Sequence, residues 1–226
     1  MIGVTETTEP EENEVAGAPT TPEEWRVFLE RYGELYVKVR ADEEELVDLL
    51  DEDQLEALDQ DERVEPWLGE APAREEALAA SEERLGVRFP PGLRGFFLAS
   101  DGWKRLDGWV DSVHPCDRVV WMRDSEAGGR VTEIYASIPG NEEDVELFRR
   151  SVEIARGEDF WLLDPTDVGP DGEWAAYEFT PKYGDTTEYP SFSALFHSGY
   201  ASMEEDEEDE EDEEDEEDEE DEEDDN

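Results

Sequence analysis

The sequence predicts an α+β domain, with helices packed on a mainly antiparallel sheet and a disordered acidic tail at each end. Three observations carry that prediction. Apolar residues recur at helical spacing through the first hundred positions. After Trp103 the pattern changes to short β-prone pieces separated by turn residues. A last apolar stripe of helical period closes the patterned region before residue 203.

Residues 1–21 are polar and acidic, contain Pro10 and Pro19, and are expected to be a disordered arm. Thr21 is placed to cap a helix whose first residue is Pro22, where a missing N–H costs nothing. Trp25, Phe28, Leu29, Tyr32, Leu35, Tyr36 and Val39 then form one stripe. A second short helix is expected in "EEELVDLLDEDQLEALD", and residues 22–62 together read as a helical N-terminal extension.

Residues 63–203 read as the main domain. "REEALAASEERLG" is a helix with Ala77, Leu78 and Leu85 inward, ended by Gly86 in a left-handed turn. Val87 to Phe89 are extended, as residues before a proline tend to be. Pro90 and Pro91 start a new helix with Leu93, Phe96, Phe97 and Ser100 on one face, ended by Asp101-Gly102. Gly95, weaker than Ala by about 1 kcal/mol inside a helix, suggests a close backbone approach.

The strand candidates are "DGWVDSV", "DRVVWM", "SVEIAR", "DFWLLD" and "WAAYEF". Between them "NEEDVELFRR" reads as a helix capped by Asn141. "YPSFSALFHSGYASM" places Phe192, Leu195, Phe196 and Tyr200 on one helical face, with Ser191 as cap. Residues 204–226 are a disordered Glu/Asp tail of repeated "EED", with nothing apolar to bury and like charges at helical neighbour spacing.

Charge bounds the function. The chain carries −52 formally, and Glu23 to Met203 alone hold 43 acids against 18 bases, a net of −25. Such a surface repels phosphate, which disfavours direct nucleic-acid binding and docking on anionic lipid. A basic protein is the natural partner; solubility and adaptation to high salt are the other readings of the same charge. One cysteine, Cys116, suits a reducing compartment. With no basic n-region and no run near the ~20 apolar residues of a membrane span, a soluble cytoplasmic protein is expected.

Little in the sequence suggests catalysis. There is no "GxSxG" elbow and no phosphate-binding loop. His114 and Cys116 lie two residues apart across a proline, a poor arrangement for a nucleophile and its base. "DVGPDGEWAAYE", Asp167 to Glu178, matches a calcium-loop template at four positions. Gly169 breaks it at the third, and a hairpin turn with Asp-Gly at its tip explains the same letters. No cofactor and no metal are expected. Trp103 and Trp109 lie near turns among Asp101, Asp107, Asp111 and Asp117. Either both rings cover the sheet edge, or they anchor a basic partner within an acidic patch.

"SEERLGVRFPPGLRGFFLASDGW" resembles the signature of the SUKH superfamily, the Smi/Knr-type domains. The matching positions include Leu85, Gly86, Pro90, Leu93, Phe96, Asp101 and Gly102. "WLGEAPA", "VHPCDRVVW", "EDFWLLDP", "GEWAAYEF" and "YPSFSALF" resemble further pieces of such domains in the right order. The resemblance implies a non-catalytic binding protein of the kind that bacteria use for immunity, neutralising a nuclease- or deaminase-type toxin by stoichiometric binding. Fungal relatives imply the alternative, a regulatory scaffold with disordered arms. An acidic body suits a basic toxin by charge complementarity.

Overall fold

A computed structural model of the chain describes residues 18–207, apart from 59, 61–63, 65 and 107. The acidic arm before residue 18 and the acid run after residue 207 lie outside the described residues, as does the disorder expected for them.

Helix α1 (Pro22–Val39) begins as its sequence dictates. The Thr21 hydroxyl accepts the Glu24 N–H while the Glu24 carboxylate accepts the Thr21 N–H, a reciprocal capping box. Those backbone hydrogen bonds, from Thr20 and Thr21, hold the Glu24 carboxyl at about 2. α1, expected as the first part of a helical N-terminal extension over residues 22–62, packs into the main core. Trp25 is fully buried, donates its indole N–H to the Gly92 carbonyl at 2.8 Å, and packs against Phe96, Phe192 and Phe196. A side chain so placed is worth about 3–5 kcal/mol against truncation to alanine.

The single helix expected after it is two, α2 (Glu43–Leu49) and α3 (Glu52–Leu58). The chain breaks at Leu50-Asp51 because Asp51 restarts it: the Asp51 carboxylate accepts the Gln54 N–H and the Gln54 side chain accepts the Asp51 N–H. α4 (Glu75–Leu85) ends at Gly86 in the left-handed region, φ 75°, as the sequence requires. α5 (Pro91–Ala99) follows with Leu93, Phe96 and Phe97 buried. The close approach at Gly95 is to the N-terminal segment: a Cβ there would lie 2.1 Å from the Thr20 carbonyl oxygen.

The strands are β1 (Trp103–Lys104), β2 (Ser112–Val113), β3 (Val120–Trp121), β4 (Val152–Arg156), β5 (Phe160–Val168), β6 (Trp174–Thr180) and β7 (Asp185–Tyr189). All pairings are antiparallel, in the order β1-β2-β4-β5-β6-β7, and β3 continues along the β4 edge that β2 begins. Most of "DGWVDSV" is therefore loop, since only Ser112 and Val113 are strand, paired with Arg156 and Ala155 of β4. A 3-10 turn (Met122–Asp124), α6 (Glu126–Ala136) and α7 (Glu142–Arg150) lie between β3 and β4. Asn141 occupies the cap position of α7 but its side chain makes no capping hydrogen bond. Ser191 does cap the last helix, α8 (192–207), accepting the Ala194 N–H at 3.1 Å.

Alternation along the central strands sorts side chains into two cores. Trp161 and Leu163 of β5, with Trp174 and Ala176 of β6, join the core under α1, α4, α5 and α8. Phe160, Leu162, Ala175, Tyr177 and Phe179 point the other way, onto Met122, Leu147 and Phe148. The sheet thus has helices on both faces, which is why "FWLL" reads as a continuous apolar run. α8 continues into the acid run to residue 207, four residues beyond the expected boundary at 203. There Asp206 pairs with Arg40 and Glu207 pairs with Lys38 at 2.5 Å. Among the described residues no helix is long and apolar enough to cross a membrane.

Candidate interaction surface

The two tryptophans of the expected acidic patch have opposite fates. Trp103 is fully buried, edge-on to Trp67 at 5.2 Å and to Tyr32 at 6.1 Å. It cannot touch a partner, because β1 pairs with β2 and turns its indole into the main core. Trp109 is 60% exposed, an unusual position for so large an apolar surface.

The loop that carries Trp109 joins β1 to β2. Leu106 and Val110 bury their side chains in the main core, and Trp109, after the turn at Gly108, faces outward. The Arg105 N–H donates to the Asp111 carbonyl at 3.2 Å and closes the loop. Arg105 has φ 59° and, among the described residues, no other non-glycine residue has a positive φ. Its guanidinium is held by Glu45 of α2 at 3.2 Å. Backbone strain of this kind persists only where the surroundings over-determine it, and it concentrates at functional sites.

Two further turns back the loop. Gly157, between β4 and β5, lies so close that a Cβ would come 2.4 Å from the Trp109 carbonyl oxygen. The Asp159 N–H donates to that carbonyl at 3.0 Å, and the Asp111 N–H donates to the Arg156 carbonyl at 3.3 Å. The Asp159 carboxylate accepts the Thr180 hydroxyl at 2.9 Å, which fixes the β6–β7 turn in its place. Burial pushes the Asp159 carboxyl above its usual range, with the Thr180 hydrogen bond opposing. From that turn Tyr183 projects, 68% exposed, and the Lys182 ammonium lies 5.3 Å from its ring centroid and 5.7 Å from that of Trp109. Asp111, Glu158 and Asp185, all exposed, belong to the same three turns.

The other patch residues lie elsewhere. Asp101 accepts the Cys116 N–H at 2.7 Å and so holds the turn before β3. With the exposed Asp117 it lines a cleft of about 480 Å³ that also holds Glu70, Lys104 and Arg118. Asp111 lines a second cleft of about 510 Å³ with Asp48, Trp67 and Arg105. Trp109 is in neither lining, and Asp107 is outside the described residues. The patch is thus divided, and among its described residues only Trp109 and Asp111 meet at the sheet end. Tyr183, Lys182, Glu158 and Asp159 were not foreseen. The signal for Tyr183 is an aromatic residue just before the glycine of "PKYGD", at the tip of a turn.

The remaining chemical candidates have structural partners. His114 Nε2 lies 3.4 Å from the buried Glu153 carboxylate, which also accepts the Ser125 hydroxyl at 2.5 Å. Cys116 is fully buried. Its thiol is pushed up to about 11, first by burial and then by the charge of Asp101, so it is a poor nucleophile. His197 stacks on Tyr200. The stretch from Asp167 to Glu178 is the β5–β6 hairpin. Gly169 donates to the Glu173 carbonyl at 2.8 Å, and Glu178 accepts the Trp161 indole N–H at 3.1 Å. Among the described residues no group of three or more His, Cys, Asp or Glu is arranged to hold a metal ion.

No family model matches the chain, and no curated protein matches it at a significant level.

Proposed function

We propose that this chain is a non-catalytic, SUKH-like immunity protein that binds a basic toxin domain one-to-one, with Trp109 as its anchor. The observation that carries the reading is an exposed tryptophan on a strained, three-turn platform in a body of net charge −25 between Glu23 and Met203. Tryptophan and tyrosine dominate binding energy at protein interfaces when they are held rigidly and ringed by polar groups. The surrounding carboxylates favour a cationic partner and speed its encounter. A nuclease or deaminase presents such a surface to its own substrate, so an acidic binder of that surface would block it.

One observation favours a second reading, a regulatory scaffold with electrostatic arms. α8 runs directly into the acid run, and Asp206 and Glu207 of that run are tied to Arg40 and Lys38 of the body. Capture from native lysate separates the two. The baits are the full chain, a chain ending at Glu207 and the full chain with Trp109→Ala, each washed at low and high salt. One basic partner that survives high salt on both unsubstituted chains and is lost on Trp109→Ala supports neutralisation. Several partners lost with the tail or with salt sink it in favour of the scaffold.

A further inference from the structure

We infer that Trp109 and Tyr183 form a receptor for an arginine side chain of the partner, and that Lys182 occupies it as an internal stand-in when no partner is bound. The inference rests on the reading that a basic protein docks at this end of the sheet, and it names the chemistry of the contact.

Lys182 is the first reason. Acids outnumber bases almost four to one in this chain. Yet Lys182 makes no ion pair within 4 Å among the described residues; its charge acts on Asp159 from farther off, and its ammonium lies within 6 Å of two exposed ring centroids. A cation held by two aromatic faces marks where a cation is favoured. Rigidity is the second. The two rings come from different turns, but those turns are joined through Asp159, whose backbone bonds Trp109 and whose carboxylate bonds Thr180. The spacing of the two turns that carry the rings is therefore set by the fold before a ligand arrives. Charge is the third. Exposed Asp111, Glu158 and Asp185 on the same turns raise the local concentration of cations and offer acceptors to a guanidinium's remaining N–H groups.

Arginine fits better than lysine because its planar guanidinium stacks on an aromatic face and is less strongly hydrated than an ammonium. Displacing Lys182 is easy: the contact is solvent-exposed and its loss is worth about two- to fivefold in an equilibrium. Once displaced, Lys182 is free to pair with a carboxylate of the partner.

The test is a titration of the full chain with a short peptide, one arginine flanked by glycines, followed by the Trp109 indole NMR signal. That signal is assigned by its loss in Trp109→Phe. A lysine peptide and a glutamine peptide serve as comparisons. Lys182→Gln is expected to tighten arginine-peptide binding about two- to fivefold. Tyr183→Ala should abolish the shift, and the glutamine peptide should give none. Arg130→Gln removes the same charge from an exposed position of α6, outside the three turns, and should leave affinity unchanged. Equal tightening by Lys182→Gln and Arg130→Gln would reduce the effect to general charge and overturn the receptor, as would an unresponsive Trp109 signal. Neither result touches the capture experiment. Conversely, a partner retained by Trp109→Ala would remove the docking reading while leaving a peptide site intact.

Discussion

Glu173 shows how one residue can carry a conflict that the sequence conceals. It sits at the start of β6 with 4% exposure, and one carboxylate oxygen accepts the Gly92 N–H at the N-terminus of α5 at 2.6 Å. The other oxygen has no hydrogen-bond partner among the described residues. Burial raises the carboxyl's pKa above its ordinary 4.5, and the Gly92 hydrogen bond only partly opposes this. The sign of the consequence is fixed. A carboxyl whose pKa is raised on folding binds its proton more tightly in the folded state, so its stabilising contribution is full below pH 4.5 and is lost as pH rises through the raised value. Glu173→Gln keeps an acceptor for Gly92 and cannot ionise. Its stability relative to the unsubstituted protein should therefore improve in urea unfolding as pH rises above 4.5, and level off once pH has passed the raised value. A difference that stays flat, or moves the other way, would mean that the carboxylate is stabilised by something besides Gly92. Glu173→Ala, by contrast, strands the Gly92 N–H and should cost about 1–3 kcal/mol at either pH.

Among the elements, α5 is where the first and last described helices converge. Trp25 reaches it from α1, Phe192 and Phe196 from α8, and the Thr20 carbonyl lies against Gly95. Gly95→Ala would gain about 1 kcal/mol of helix propensity in isolation. Here the added methyl meets a backbone oxygen that cannot move without shifting Pro19, whose carbonyl accepts the Ser193 hydroxyl at 2.6 Å. Overpacking of this kind costs about 1–3 kcal/mol, so net destabilisation in thermal or urea unfolding is expected; a gain in stability would show that residues 18–21 are not seated on α5. Elements like α5 and β4 to β6 were legible because burial imposes a period on their apolar residues. α6 was not, since "EAGGRVTEIYA" carries two glycines and few apolar residues, and its packing needs little more than Ala127, Val131 and Tyr135. β7 was not either: "DTTEY" is an exposed edge strand, and polar side chains there guard against pairing with another chain. The break between α2 and α3 was present in the letters as Asp51 and Gln54, a capping pair concealed by the acids around it. For Trp103 the letters left two readings open, and the structure excludes it from the partner-facing patch and buries it. Closeness to a turn says nothing about which way a side chain points, and the pairing of β1 with β2, which decides it, is not a local property.

At the scale of the whole molecule, two charge effects compete. Ion pairs such as Arg94 with Glu75 and Glu82, Lys104 with Glu70, and Arg105 with Glu45 tie neighbouring elements together. Pairs this exposed are worth at most about 1 kcal/mol each, and salt weakens them. Against them stands the repulsion among 43 acids, set against 18 bases, between Glu23 and Met203, with a further 22 acids following on α8 and beyond it. That repulsion is the larger quantity, because most carboxylates have no base to face. Raising salt from about 10 mM to 1 M shortens the screening length from about 30 Å to about 3 Å. The folded state should then gain on the order of 1 kcal/mol, or about 2–4 °C in Tm for a domain of this size. The gain should be smaller in a chain ending at Glu207, which lacks most of the acid run. Binding through general acidity would move in the opposite direction over the same range, since screening that relieves the body also weakens its attraction for a basic partner. A Tm that rises with salt, alongside capture that persists in salt, would therefore place affinity in the Trp109 platform and leave the surplus charge to govern encounter. A Tm that falls with salt would mean that local pairing outweighs repulsion, and that the acids are arranged as matched contacts rather than as a diffuse field.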